Sequence, residues 1–157
     1  MDSAKKQEFT MRMTQSNRTE LLVVIYDLFL EYMKEAKEYG QQNDTQSFRQ
    51  AVANGQPVLA ELISCLDFQY EISYQLLEIY RYCGRCLATA LSKNDFTELE
   101  GAILSITNIR KAYYEISLKD ESAPLMQNSQ KVYAGLTYGK NNLNEVSNES
   151  GNRGFLA

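Results

Sequence analysis

The chain has 157 residues, enough for one domain with a sizeable core and short of what two usually need. Its 20 acidic against 16 basic residues give a net charge of −4, and no basic stripe is available to release counterions from nucleic-acid phosphates. There is no histidine, which removes the commonest general base and zinc ligand and weakens most enzyme readings; a non-enzymatic protein without a cofactor is expected.

The opening residues, MDSAKKQEFT, lack the apolar core of a signal peptide, and no apolar run approaches the roughly 20 residues of a membrane span. A cytoplasmic protein is expected. Residues 1–16 form an N-terminal segment whose apolar members include Phe9, Met11 and Met13. Over residues 17–119, apolar side chains recur at spacings of three and four in four blocks with polar punctuation, which predicts an all-α bundle.

The first block opens at Asn17, with Glu20 placed to complete a capping box. Leu21, Ile25, Leu28, Tyr32, Ala36 and Tyr39 make its core stripe, and Gly40 is expected to end it in a left-handed conformation. Phe48, Val52, Leu59, Ile63 and Leu66 repeat the period in the second block. Pro57 falls mid-helix there, so a kink or a short break near residues 54–56, eased by Gly55, is expected.

In the third block Ile72, Leu76, Ile79, Cys83, Leu87 and Ala90 share a face, and Asn94 or Asp95 closes it. Asp95 and Glu98 read as a second capping box, from which Leu99, Ile103, Ile106, Tyr113 and Ile116 carry the fourth helix to about Lys119. Residues 120–157, rich in Asn, Ser and Gly, cannot bury enough to fold alone and are expected to form a flexible, weakly structured tail. Two readings of the tail stand: a solubilising extension, or one that folds back on the bundle through small apolar anchors such as Tyr133 and Leu136.

The first helix is apolar on more than one face. On a wheel of about 100° per residue, Val23, Tyr26 and Leu30, with Leu22 and Met33 beside them, point broadly away from the core stripe. Tyr74, Leu77 and Tyr80 flank the stripe of the third helix in the same way. A helix in a four-helix bundle buries roughly a third of its circumference, and each Leu-sized residue left in water forfeits roughly 1.5–3 kcal/mol. Either the chain's own ends, FTMRMT among them, cover the surplus, or a partner does. Gly84, inside the third helix, would mark a close backbone approach.

Cys83-Gly-Arg-Cys86 has the spacing of a metal or redox pair, but Cys65 is the one remaining thiol and no histidine completes a zinc set. Reduced thiols are expected. A di-metal carboxylate bundle fails for the same reason, since it needs Glu-x-x-His pairs facing inward.

Four stretches resemble the FliS family of flagellin export chaperones. NRTELLVVIYDLFLEYMKEA is similar to the family's first helix, with Ile25, Tyr26 and Asp27 at its Leu-Tyr-Asp element, and ELISCLDF, from Glu61 to Phe68, to the end of its second. EISYQLLEIYRYCGRCLATA resembles the third helix, with Ile79 and Tyr80 at the usual Leu-Tyr, and IRKAYYEI the close of the fourth, with Tyr113 at its aromatic position. The likeness runs from about Phe9 to Ile116. Arg18 stands where a proline is usual, Pro57 is foreign to the pattern, and the connection at Gln69 and Tyr70 is shortened.

The resemblance implies an antiparallel four-helix bundle that binds the disordered C-terminal segment of flagellin, prevents its early polymerisation and presents it to the export gate, with FlhA as a further partner. Client helices would cover the surplus at Val23, Tyr26, Leu30, Met33, Tyr74, Leu77, Tyr80 and Gly84 by helix-in-groove recognition. Phe9, Met11 and Met13 would form a cap over part of the groove, or simply extend the core. The second functional class is a structural or regulatory helical module whose apolar surface makes a dimer.

Overall fold

The structure, a computed structural model, describes residues 1–126. They are all-α: α1 (Ser3–Gln15), α2 (Arg18–Gln41), α3 (Thr45–Ser64), α4 (Glu71–Lys93), a 3-10 turn (Phe96–Leu99) and α5 (Glu100–Ser117), with no strand among the described residues. The tail anchors from Tyr133 onward lie outside them.

Each start has a local cause. Asp2 caps α1 by accepting from the Lys5 amide, and Asp44 caps α3 by accepting from Ser47. At α2 the capping box is complete: Asn17 Oδ1 accepts from the Glu20 amide at 2.9 Å and Glu20 Oε2 accepts from the Asn17 amide at 2.9 Å. The left-handed positions that turn the chain are asparagines. Asn43, at φ 58°, follows α2, and Asn94, at φ 55°, closes α4.

Gly40 therefore does not terminate α2. The helix runs on to Gln41, and the missing side chain makes room for Phe96: a Cβ on Gly40 would stand 2.6 Å from Phe96 Cδ1. Gly55 likewise serves packing, because the Met33 methyl fills the space where its Cβ would lie. α3 continues as one helix through Pro57, without a break there. Asp95 caps the 3-10 turn through Thr97 while Glu98 pairs with Lys93, so no capping box forms at Asp95 and α5 begins at Glu100.

α2 packs against α3 and α5, and α4 against the same two, so the long helices close around one core. Its seam on α2 is Tyr26, Phe29, Met33 and Ala36, all fully buried, facing Phe48, Val52 and Leu62 of α3, Cys83 and Leu87 of α4, and Ile106 of α5. The stripe expected on α2 is thus rotated. Ile25 and Ala36 are inside, but Leu21, Leu28, Tyr32 and Tyr39 are half-buried flanks. On α5, Ile116 is exposed and Ala102 takes an inner position.

Residues 1–16 are mostly helix, and α1 lies along α2. Three charges of α2 at four-residue spacing hold it: Asp27 takes Arg12, Glu31 takes Lys5, and Glu35 takes the N-terminal amine at 2.7 Å. Val23 and Val24, one turn before Asp27 on that strip, are buried at 5% exposure each, outside the main core cluster.

Candidate functional site

A cleft of about 550 Å³ opens where the start of α2, the end of α3 and the start of α4 meet. Leu21, Leu22, Ile25, Leu62, Leu66 and Leu76 make its walls, and Tyr26 and Tyr80 its floor. Arg18, Ile72, Tyr70, Tyr113 and Leu125 stand around the mouth. Such a concave, largely apolar site with a few fixed polar groups is what an apolar ligand or a helix face can enter.

The floor carries one polar feature. The Tyr26 and Tyr80 hydroxyls meet at 2.5 Å, one donating to the other in a buried site. Burial raises both phenols, Tyr80 to about 12, so both stay neutral. Tyr113 leans on Tyr26 with ring centroids 5.7 Å apart, which fixes the floor from the α5 side.

The α3–α4 connection shapes the rim. Asp67 accepts from the Gln69 amide through its side chain and from Ser73 Oγ, at 2.6 Å, through its carbonyl, which pins the start of α4. That tight turn throws Phe68, Tyr70, Ile72 and Tyr74 outward, and Phe68 and Tyr74 pack on each other at 5.2 Å. Four large apolar side chains in seven residues are exposed, Tyr70 and Ile72 of them in the cleft lining, a concentration of the kind that marks an interaction surface.

Measured against these positions, the expected partner-binding residues divide. Tyr74 is exposed and Leu77, Leu30 and Gly84 are partly so. Val23, Tyr26, Met33 and Tyr80 are buried at 5%, 0%, 0% and 2% exposure, which corrects their reading as open surface. The physical reason is that α2 is covered on three sides, by α3, α5 and α1, so a helix apolar nearly all round is mostly hidden. Tyr26 and Tyr80 still reach the site, as the cleft floor. In front of Gly84 a Cβ would meet nothing, so no backbone approaches it.

Of the cap residues, Phe9 is buried and Met13 packs against the core cluster, while Met11 is 60% exposed and covers nothing. Arg110 of α5 was not foreseen. It shares the Asp27 carboxylate with Arg12, its Nε donating at 2.7 Å, so one carboxylate ties α1, α2 and α5 together. Burial alone would raise that carboxyl, but the hydrogen bonds and charges of the two guanidinium groups outweigh it and hold it below its ordinary value.

The cysteines make no cluster. Cys83 is sealed in the core, its thiol pushed up to about 12 by burial, Cys86 is half-buried and Cys65 is exposed, all three free. Among the described residues no group of His, Cys, Asp and Glu could hold a metal ion, and no helix is long and apolar enough to cross a membrane.

A search of curated proteins returns no match to the chain. A family model described as "Flagellar protein FliS" matches residues 1–120, which spans every helix described above and the four stretches that carry the resemblance. The chain belongs to the FliS family of flagellar export chaperones.

Proposed function

We propose that this protein binds the disordered C-terminal segment of flagellin in the cytoplasm, keeps it from polymerising early and delivers it to the export gate, with FlhA as its receiving partner. The observation that carries the reading is the apolar cleft with its exposed aromatic rim, Phe68, Tyr70, Ile72 and Tyr74, on a chain of this family. An amphipathic client helix laid across the rim would bury that patch and set its own apolar residues into the cleft. The reading includes an antiparallel four-helix bundle of α2 to α5, supported by their closed ring of contacts and short connections.

The cleft is the primary client surface and the α1-covered strip a second. Tyr74 and Leu77 meet the client directly, Tyr26 and Tyr80 support the cleft from its floor, and the partly exposed Leu30 and Gly84 extend the client surface, while Met33 stays in the core. Val23 becomes available when α1, with Phe9 and Met13, lifts from α2. A helix held by one buried aromatic and a set of ion pairs detaches more readily than one held by a full apolar stripe.

Sizing the purified protein alone and with a flagellin C-terminal segment tests this. A monomer that shifts to a one-to-one complex supports the chaperone reading. A dimer that ignores the segment would instead establish the dimerisation module and overturn it.

A further inference from the structure

Residues 120–125 follow α5 back to the junction of α1 and α2. The Asp120 amide stays bonded to the Ser117 carbonyl at the end of α5, and the other hydrogen bonds of this run to the rest of the described chain fall on Ser16, Asn17 and Thr19. Asp120 Oδ2 accepts from Thr19 Oγ1 at 2.5 Å, Asn17 Nδ2 donates to the carbonyls of Asp120 and Ser122 at 3.1 and 3.4 Å, and the Leu125 amide donates to the Ser16 carbonyl at 3.0 Å. Arg18, between Asn17 and Thr19, lies at the cleft mouth. Asp120 also accepts from the Ser122 amide through Oδ1, so one carboxylate both shapes the turn and fastens it to α2.

This run ends with Leu125 in the lining of the cleft, yet 58% exposed. The backbone is fastened while the side chain is only partly seated. Most of the gain from burying a leucine is therefore unrealised, and the bonds that hold the segment exchange readily for bonds to water. A cover built in this way keeps its place in the free chain and yields to a better apolar occupant.

We propose that residues 120–125 are a strap that holds Leu125 at the mouth of the cleft in the free chain and is displaced when an apolar side chain of the client enters. This rests on the cleft being the client site. Because Ser16 and Asn17, 5% and 3% exposed, join α1 to α2, release of the strap also frees the base of α1, so cleft and cap open together. The client affinity of the free chain is then lowered by the fraction of molecules in which the strap is closed.

Calorimetric titration of the full chain with a flagellin C-terminal segment tests the strap. Leu125→Ala and Asp120→Ala should each tighten binding about three- to tenfold. Unchanged affinity overturns the proposal, and weaker binding does so too, by making Leu125 part of the client's platform. Amide exchange supplies the second readout: the Leu125 amide should be protected in the free chain and exchange faster in the complex, and retained protection overturns displacement. If the unaltered chain does not bind the segment, the client reading itself falls; binding without any strap effect overturns the strap alone.

Discussion

At the scale of single residues, the Tyr26–Tyr80 pair gives the sharpest expectation. Replacing one tyrosine with phenylalanine leaves the other hydroxyl unpaired in a buried site, at a cost of about 1–3 kcal/mol. Replacing both removes donor and acceptor together, so Tyr26→Phe/Tyr80→Phe should cost clearly less than the sum of the singles in denaturant titration. Additive costs would show that the hydroxyls do not depend on each other. Gly40→Ala should destabilise by about 1–3 kcal/mol despite the better helix propensity of alanine, because the new methyl meets Phe96 near its Cβ and the 3-10 turn must shift. The glycine was visible in the sequence, but its cause was not: α2 ends at Asn43's left-handed turn, and only the fold reveals Phe96 against Gly40.

At the scale of elements, α1 is an electrostatically held helix. Phe9 is its one buried residue, while Arg12, Lys5 and the terminal amine meet three α2 carboxylates. Raising the salt concentration should therefore speed amide exchange in α1 before it affects α3 or α4, and equal acceleration everywhere would contradict this. Asp27→Asn should cost about 0.5–1 kcal/mol and loosen α1 more than any other helix. The pH dependence has a definite sign. The Asp27 carboxyl is held lower in the folded chain than in the unfolded one, so its contribution is fully present above about pH 4 and is lost as pH falls through the lowered folded value. Acid titration followed by α1 exchange should show α1 loosening as pH falls, and Asp27→Asn should make that loss smaller by removing the Asp27 share; an unchanged acid profile in Asp27→Asn would contradict this.

The alternation of Asp27, Glu31 and Glu35 on one strip of α2, opposite Lys5 and Arg12 in the preceding segment, was a signal the sequence carried for this docking. Helix starts were legible too, since Asn17 and Glu20 form their capping box with both bonds in place. The phase of α2 was not. An amphipathic helix declares its inner face by contrast, and α2 has little contrast because three neighbours cover it. The true seam includes Phe29, which sits between the two stripes read from the wheel.

For the whole molecule, the apolar surplus of α2 is settled largely within the chain, and what is left for a partner has moved to the α3–α4 end. There, Phe68, Tyr70, Ile72 and Tyr74 stand exposed beside the cleft because a short connection, pinned by Asp67, cannot fold them inward. In the sequence, Phe68 and Tyr70 lay in a shortened connection, Tyr74 flanked the α4 stripe, and Ile72 read as its first core member; the 53% exposure of Ile72 corrects that, because the first turn of α4 projects past the end of the bundle. Leu125 at the mouth belonged to a segment with no periodicity to read.

The most direct measurement compares the affinity of two full-chain variants, Ile72→Asp and Leu104→Asp, for the flagellin C-terminal segment. Both residues are exposed, at 53% and 64%, so neither change strains the core, and only Ile72 lines the cleft. We expect Ile72→Asp to weaken binding by about tenfold or more, as burying a carboxylate in an apolar contact requires, and Leu104→Asp to leave it within about twofold of the unaltered chain. A segment that binds Ile72→Asp as tightly as the unaltered chain would place the client elsewhere and contradict the cleft as its site.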